Sequence, residues 1–287
     1  MAERTVYIEN RCKIGYSNDY LKIDKDGELI RFHIDEFDVV IFSSLEISCS
    51  LYTLNKLSSN GKTVILCNEK KLPYCNLLPL FGTGNASSRL REQLEWNETL
   101  KSAVWKYIVE EKIRNQSNAL KVCGCSEVEK LSVELGDSTN AEGRFANSYF
   151  NAMFGKRFLR HNDDNINAAL NYGYSVLLSL TARIIASHGY NQTMGIHHYG
   201  ATNNFNLACD VVEPFRPLVD IIVKKHGDIS LDTKYKCELA QVAYRDIVYK
   251  GKRYSVKYAI DLFFCDVLTC LKRGEFENNA DSFGFVA

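Results

Sequence analysis

The period of the apolar residues changes once along this chain, near residue 88, and that change restricts the fold more than any other feature. Before it, apolar residues alternate or run continuously, as strands require. After it they recur every three to four positions, as amphipathic helices require. Val6-Tyr7-Ile8 is a short β-rich run, and Leu21, Ile23, Ile30, Phe32 and Ile34 alternate around Asp26-Gly27, a strong hairpin signal. Val39-Val40-Ile41-Phe42 and Thr63-Val64-Ile65-Leu66 are continuous apolar runs, expected of strands buried on both faces. Between them Leu51, Leu54 and Leu57 have helical spacing, and Asn60-Gly61 supplies a stop.

The turn-rich segment Phe81-Gly82-Thr83-Gly84-Asn85-Ala86-Ser87-Ser88 marks the junction, with Ser88 placed to cap the helix after it. Its Gly82-x-Gly84 lacks the third glycine and the Lys-Ser/Thr of phosphate loops, so it reads as a linker. Beyond it, Leu90, Leu94, Leu100, Val104 and Ile108 predict one long helix. Ala146, Tyr149, Phe150 and Met153 predict a second, and Leu170, Tyr174, Leu177, Leu178, Ile184 and Ile185 a third that Gly189 ends. Val256, Ile260, Phe263, Phe264, Val267 and Leu271 predict a fourth, closed by Gly274. The expectation is an α+β protein: a small β-rich, sandwich-like domain over residues 1–84, then a larger α-helical domain over 85–287.

Thirty-five basic residues balance thirty-five acidic ones, which excludes a uniformly basic surface for nucleic acid or membrane. No apolar run reaches the length that spans a bilayer, and the N-terminus has no signal-peptide core, so a cytoplasmic protein without membrane contact is expected. The ten cysteines then read as reduced thiols, most of them small core residues. Cys123-x-Cys125, without a second pair, is weak grounds for a zinc site.

Polar residues that interrupt the apolar pattern are the candidates for chemistry. Glu142 lies on the apolar face of its predicted helix with Ala146, Tyr149 and Met153. A carboxylate there costs several kcal/mol unless it is paired, solvated in the first turn or bound to a metal. Arg144 and Arg183 are the candidate partners. His197-His198 follows Met194-Gly195-Ile196 in a polar loop, and imidazole is both a frequent metal ligand and the proton carrier of neutral pH. Pro214 and Pro217 belong at a helix start, which places Asp210 and Glu213 near an N-terminus, where acidic residues also meet the helix dipole favourably.

Together these segments resemble CRISPR-associated protein 1, the spacer-acquisition endonuclease and integrase. Ala-Glu142-Gly-Arg-Phe-Ala146-Asn-Ser-Tyr149 is similar to the family's E-x-x-x-A-x-x-Y segment, and Gly195-Ile196-His197-His198 to its glycine-x-x-histidine. Asp210-Val211-Val212-Glu213-Pro214-Phe215-Arg216-Pro217 resembles its aspartate-x-x-glutamate-x-phenylalanine-arginine-proline run, and Asn171-Tyr172-Gly173-Tyr174 also resembles a family segment. The wording Asn-Phe-Asn-Leu-Ala-Cys-Asp is most similar to the type II versions. The resemblance covers essentially the whole chain. It departs at His197, which stands where the family has a hydrophobic residue, at Gly143, a poor helix former, and in the absence of net positive charge.

Carried over by position, the resemblance implies that Glu142, His198 and Glu213 are catalytic metal ligands, with Asp210 beside the site. Two carboxylates and one imidazole suit Mn²⁺ or Mg²⁺ and leave positions open for water and phosphate. The implied reaction is attack by the 3′-hydroxyl of a captured fragment on a CRISPR repeat phosphodiester, a transesterification without ATP. Double-stranded DNA, a homodimer, CRISPR-associated protein 2 and, in a type II system, a DNA-end-binding ring protein and the effector nuclease are the implied partners. Lys156, Arg157 and Arg160 follow the Glu142 helix, Arg216 adjoins Glu213, and Lys252 and Arg253 form a second basic patch; these are the candidate DNA contacts. The rival readings are a structure-specific repair nuclease with the same ligands and a non-catalytic DNA-binding assembly subunit.

Overall fold

The Asp26-Gly27 hairpin forms as its sequence predicts, with both residues at positive φ (54° and 89°), the backbone that a tight two-residue turn demands. The structure, a computed structural model, describes residues 4–78, 85–273 and 283–285. The first elements are β1 (Thr5–Ile8), β2 (Lys13–Ser17), β3 (Tyr20–Lys25), β4 (Glu28–His33), β5 (Val39–Phe42), β6 (Ser48–Cys49), α1 (Leu51–Ser59), β7 (Thr63–Cys67) and β8 (Pro73–Leu77). They form two four-stranded sheets, ordered β1-β5-β7-β8 and β4-β3-β2-β6. Strands β1, β5 and β7 are parallel neighbours, and β8 closes that sheet antiparallel to β7.

The continuous apolar run of β5 explains where this sheet lies. Val40 and Phe42, with Val64, face a small core shared with Ile14, Leu21 and Ile23 of the second sheet. Val39 and Ile41, with Ile65 and Cys67, face the large core of the helical part. A strand buried on both faces needs no alternation, and β5 has none.

The helical part comprises α2 (Ala86–Leu94), α3 (Glu98–Val122), α4 (Ala141–Phe154), α5 (Asn165–Ser187), α6 (Asn206–Val212), α7 (Arg216–His226) and α8 (Thr233–Ala240). Then come β9 (Asp246–Tyr249), β10 (Lys252–Ser255), α9 (Val256–Arg273) and β11 (Phe283–Phe285). The architecture is thus β-rich first and mainly helical after, as the period change predicts.

Several details differ from the sequence reading. The single helix expected from Leu90 to Ile108 is two, because Asn97 accepts from the Thr99 and Leu100 amides (2.8 and 3.3 Å) and starts α3 afresh. Ser88 lies inside α2 rather than at its cap, and the helix begins after Asn85. The segment Phe81-Gly82-Thr83-Gly84 and the stop at Gly274 lie outside the described residues. The helical part also carries a small antiparallel sheet, β10-β9-β11, whose tight turn at Lys250-Gly251 again has positive φ at both residues.

Candidate functional site

The site is built on α3. Val104 and Ile108 are buried on its inward face four residues apart, and the next position at that spacing is Lys112. A lysine on an apolar face must find compensating charge. Lys112 Nζ meets Glu142 Oε1 at 2.5 Å and also contacts Glu213 Oε2. Burial would lower its pKa, but the charges of Glu213 and Glu142 outweigh that and hold it above the usual lysine value. The partner of Glu142 is therefore neither Arg144 nor Arg183; the Arg183 guanidinium donates instead to the Ser58 carbonyl (3.3 Å).

Each carboxylate is held from its own side. Glu142 stands in the first turn of α4, where Asp137 accepts from the amides of Ala141 (2.7 Å) and Glu142 (3.2 Å). Glu213 stands in the single 3-10 turn Glu213–Phe215 between α6 and α7, with Pro214 and Pro217 preset for those helix starts. Asn115 of α3 donates to the Pro214 carbonyl (2.7 Å) and fixes that turn. Arg216 Nε lies 2.9 Å from Glu213 Oε1. Burial would push the Glu213 carboxyl up, yet Arg216 and Lys112 hold it down at about 2.

Asp210 is not at the start of α7 but within α6, fully buried. It accepts from the amides of Ile196 (2.6 Å), His197 (3.1 Å) and His198 (3.1 Å), and its Oδ1 lies 2.6 Å from His198 Nδ1. The loop is thus wound around one carboxylate, which grips the imidazole by its Nδ1 edge and leaves Nε2 outside that grip. The hydrogen bond raises the His198 pKa against the opposing effect of burial. The Gly195-x-x-His198 spacing has a steric cause: a Cβ on Gly195 would stand 2.8 Å from Asp210 Oδ2 and closer still to the His198 carbonyl oxygen. Trp105 of α3 stacks flat on His197 (ring centroids 4.2 Å apart) and meets His198 edge-on (5.6 Å). His197, a departure from the expected hydrophobic residue, supplies a flat apolar face instead.

Below the carboxylates lies a second buried group. Tyr149, seven residues after Glu142 on α4, donates to Asp220 Oδ2 (2.7 Å), and Tyr174 of α5 donates to Oδ1. Arg216 and Arg160 lie over the Tyr174 ring (4.8 and 5.4 Å to its centroid). Burial pushes the Asp220 carboxyl up to about 6, despite the two phenol donors. Since the folded-state value exceeds the ordinary 3.8, ionisation of Asp220 costs stability. Its favourable contribution is complete below about pH 4 and is lost as pH rises through 6. Lowering the pH from 7 to 5 is expected to raise wild-type unfolding free energy by about 1 kcal/mol relative to Asp220→Asn. Urea titrations of both proteins at the two pH values check this, and equal changes would contradict it.

The structure thus brings Glu142, Glu213, His198 and Asp210 around Lys112 and Trp105. The donor atoms of Glu142, His198 and Glu213 do not all lie within 4.8 Å of one another; among the described residues, the trio that satisfies this is His188, Asp261 and Cys265. The chemistry of the set nevertheless fits a divalent cation. Two carboxylates already converge on one cationic atom, and a histidine pinned through Nδ1 to a carboxylate presents Nε2 as metal-ligating histidines do.

The candidate DNA contacts divide into two groups. Lys156, Arg157, Lys252 and Arg253 are exposed. Arg160 is bonded to Asn167 and Asn171 (2.9 Å to the latter), and Arg216 to Glu213, so both guanidinium groups are engaged internally. Lys112 and Trp105 are absent from the candidates that the sequence offers. The signal for Lys112 is its place at the next step of the Leu100, Val104, Ile108 series.

The sequence model of the CRISPR associated protein Cas1 family matches residues 6–227. A CRISPR-associated endonuclease Cas1 of Neisseria meningitidis serogroup C is 34% identical over 229 residues, covering 78% of this chain and 75% of that protein. The CRISPR-associated endonuclease Cas1 1 of Pyrobaculum aerophilum is 27% identical over 234 residues (73% and 77%). This chain belongs to the Cas1 family. Its fold is shared with a casposase bound to integration product (TM-score 0.77, 17% identity, covering 99% of this chain and 95% of that one). It is shared also with a Cas1 protein from Thermotoga maritima (TM-score 0.70, 14% identity, 96% and 99%). No described helix is long and apolar enough to cross a membrane.

Proposed function

We propose that this Cas1-family chain is a metal-dependent DNA endonuclease and integrase that inserts captured DNA fragments as new spacers into a CRISPR array. The observation that carries the reading is the convergence of Glu142 and Glu213 on one cationic atom, beside a histidine whose Nδ1 is fixed by a buried carboxylate. The names of the relatives support it, as do the integration product held by the casposase and a structurally similar chain in a Cas6-RT-Cas1–Cas2 complex.

Glu142, Glu213 and His198 Nε2 would hold Mn²⁺ or Mg²⁺, the ions that suit mixed oxygen and nitrogen donors. When bound, the ion would polarise a phosphoryl oxygen and favour deprotonation of an attacking hydroxyl or water. The remaining work falls to the chain. Asp210 fixes the imidazole ring, Trp105 and His197 wall off one side, and Arg216 keeps Glu213 ionised and oriented. Lys112 makes two carboxylates compatible within one pocket and supplies a positive charge to phosphate. In the joining step a 3′-hydroxyl oxygen bonds to phosphorus, the old phosphorus–oxygen bond breaks, and the leaving strand oxygen takes a proton. One diester replaces another, so no ATP is consumed.

The proposed partners are double-stranded DNA, a second copy of the chain and CRISPR-associated protein 2, with a DNA-end-binding ring protein and effector nuclease in a type II setting. The type II reading rests on the Asn-Phe-Asn-Leu-Ala-Cys-Asp wording, and the expected location is the cytoplasm. The proposed division into domains is residues 1–84 and 85–287.

The test is a joining reaction. Protein, partner subunit and Mn²⁺ are incubated with a plasmid carrying repeats and a labelled fragment, ending in either a 3′-hydroxyl or a 3′-deoxy terminus. Label transferred to the plasmid only from the hydroxyl-ended fragment supports an integrase. Nicking without transfer favours a repair nuclease, and inertness unaffected by Glu142→Gln favours a non-catalytic assembly role. Exposed Arg157, just past the end of α4, is proposed to contact phosphate. Arg157→Glu is expected to weaken DNA binding and reduce the slope of log affinity against log salt by about 0.9 for each phosphate no longer neutralised. An unchanged salt series would remove Arg157 from the DNA path.

A further inference from the structure

A second constellation lies on other elements. His188 caps the C-terminal end of α5, while Asp261 and Cys265 lie four residues apart on α9 and so face the same way on successive turns. His188 Nε2 is 2.6 Å from Asp261 Oδ1, and one donor atom from each of His188, Asp261 and Cys265 falls within 4.8 Å of the other two. The His188 ring is set edge-on to Phe264 (5.4 Å, 80°), which fixes its plane. Cys265 is a free, half-buried thiol. Asp261 also lines a cavity of about 460 Å³ with Ser187, Lys257 and Tyr258, giving access from solvent and room for water.

We propose that His188, Asp261 and Cys265 form a second metal site, selective for Zn²⁺-class ions, that clips the end of α5 to α9. The donor set carries the choice of ion. One thiolate, one imidazole and one carboxylate match zinc and related borderline metals, and a tetrahedral ion would complete its sphere with water from the cavity. The Glu142, His198 and Glu213 set is richer in hard oxygen and matches Mn²⁺ or Mg²⁺ instead. The two sites would therefore sort ions by chemistry.

Binding exchanges bonds in a defined way. The Cys265 S–H bond breaks, its proton passes to solvent, and a metal–sulfur bond forms. His188 takes the tautomer with hydrogen on Nδ1, so that Nε2 and Asp261 Oδ1 give up their mutual hydrogen bond and both bind the ion.

The experiment uses the full chain, stripped of metal and kept reduced, titrated with Co²⁺ while the near-ultraviolet thiolate-to-cobalt charge-transfer absorption is followed. A band is expected in the wild type, absent in Cys265→Ser, weakened in His188→Gln, retained in Glu142→Gln and bleached when Zn²⁺ displaces the cobalt. Cys265→Ser should lower Zn²⁺ affinity by more than the roughly 10–100-fold that loss of an outer hydrogen-bond partner costs. The proposal is overturned if the wild type gives no band, or if the band survives in Cys265→Ser, which would place the ion on another thiol such as Cys123 or Cys125. The wild-type and His188→Gln titrations decide the matter even if Cys265→Ser does not fold.

Discussion

Asp210→Ala is expected to cost about 3–5 kcal/mol of stability and to reduce strand joining by at least about 100-fold. The stability loss arises from what the carboxylate satisfies: the amides of Ile196, His197 and His198 and the Nδ1 of His198 all meet it, and it is fully buried. Alanine leaves those donors facing an apolar gap, each at about 1–3 kcal/mol, with partial relief at the exposed His197. Joining is lost because His198 would no longer be held in one orientation. Asp210→Asn separates the two effects. The amide keeps the volume and one acceptor, so the stability loss is smaller, but its NH₂ opposes donors and no carboxylate sets the imidazole tautomer. Chemical denaturation and a joining assay on both variants check this. Joining by Asp210→Asn at the wild-type rate would mean that the carboxylate serves the loop alone.

Lys112→Met should make the stability of the fold depend on metal. Without divalent ions, removing the ammonium leaves Glu142 and Glu213 facing each other across a largely buried space, with Arg216 compensating only Glu213. Breaking such a buried pair costs about 3–5 kcal/mol. With Mn²⁺ present, an ion that binds the folded state restores stability by mass action. The rise in thermal midpoint on adding Mn²⁺ is therefore expected to be larger in Lys112→Met than in wild type, and EDTA should abolish it. A variant as stable as wild type without metal, or one indifferent to Mn²⁺, would show that Lys112 does not hold the carboxylates together.

Glu213 sets the acid limit of the same arrangement. Its carboxyl is depressed to about 2, so the stability it contributes is present above its ordinary value near 4.5 and is lost as pH falls toward 2. Asp220 acts in the other direction, losing its contribution as pH rises through about 6. The two carboxylates, joined through Arg216 and Tyr174, favour an intermediate pH.

Local rules make much of this architecture legible in the sequence. The Asp26-Gly27 turn reflects interactions between near neighbours, while the unbroken apolar run of β5 and the change of period near residue 88 are written directly in the order of apolar residues. The glycine before the histidines is legible as a motif, while its cause, the close approach of Asp210, requires the folded chain. The pairing of Lys112 with Glu142 and Glu213 joins residues 30 and 101 positions apart, and no periodicity encodes a contact of that range. The break between α2 and α3 is marked in the sequence by the six-residue step from Leu94 to Leu100, which puts the two on different faces of a continuous helix, and by Asn97, a competent cap; the regular four-residue steps on either side mask it. The β9–β10 hairpin reads in the sequence only as a basic patch, since Lys250-Gly251 lies among charges that mask its short β-prone flanks.

The central claim is that His198, held by Asp210 beside Glu142 and Glu213, belongs to a metal site that joins DNA strands. The most direct measurement incubates the purified chain with end-labelled branched DNA resembling a half-integrated product, with Mn²⁺ or with EDTA, and compares His198→Ala. The account predicts a longer, rejoined labelled strand that requires both Mn²⁺ and His198. Rejoining that persists in EDTA or in His198→Ala would contradict it.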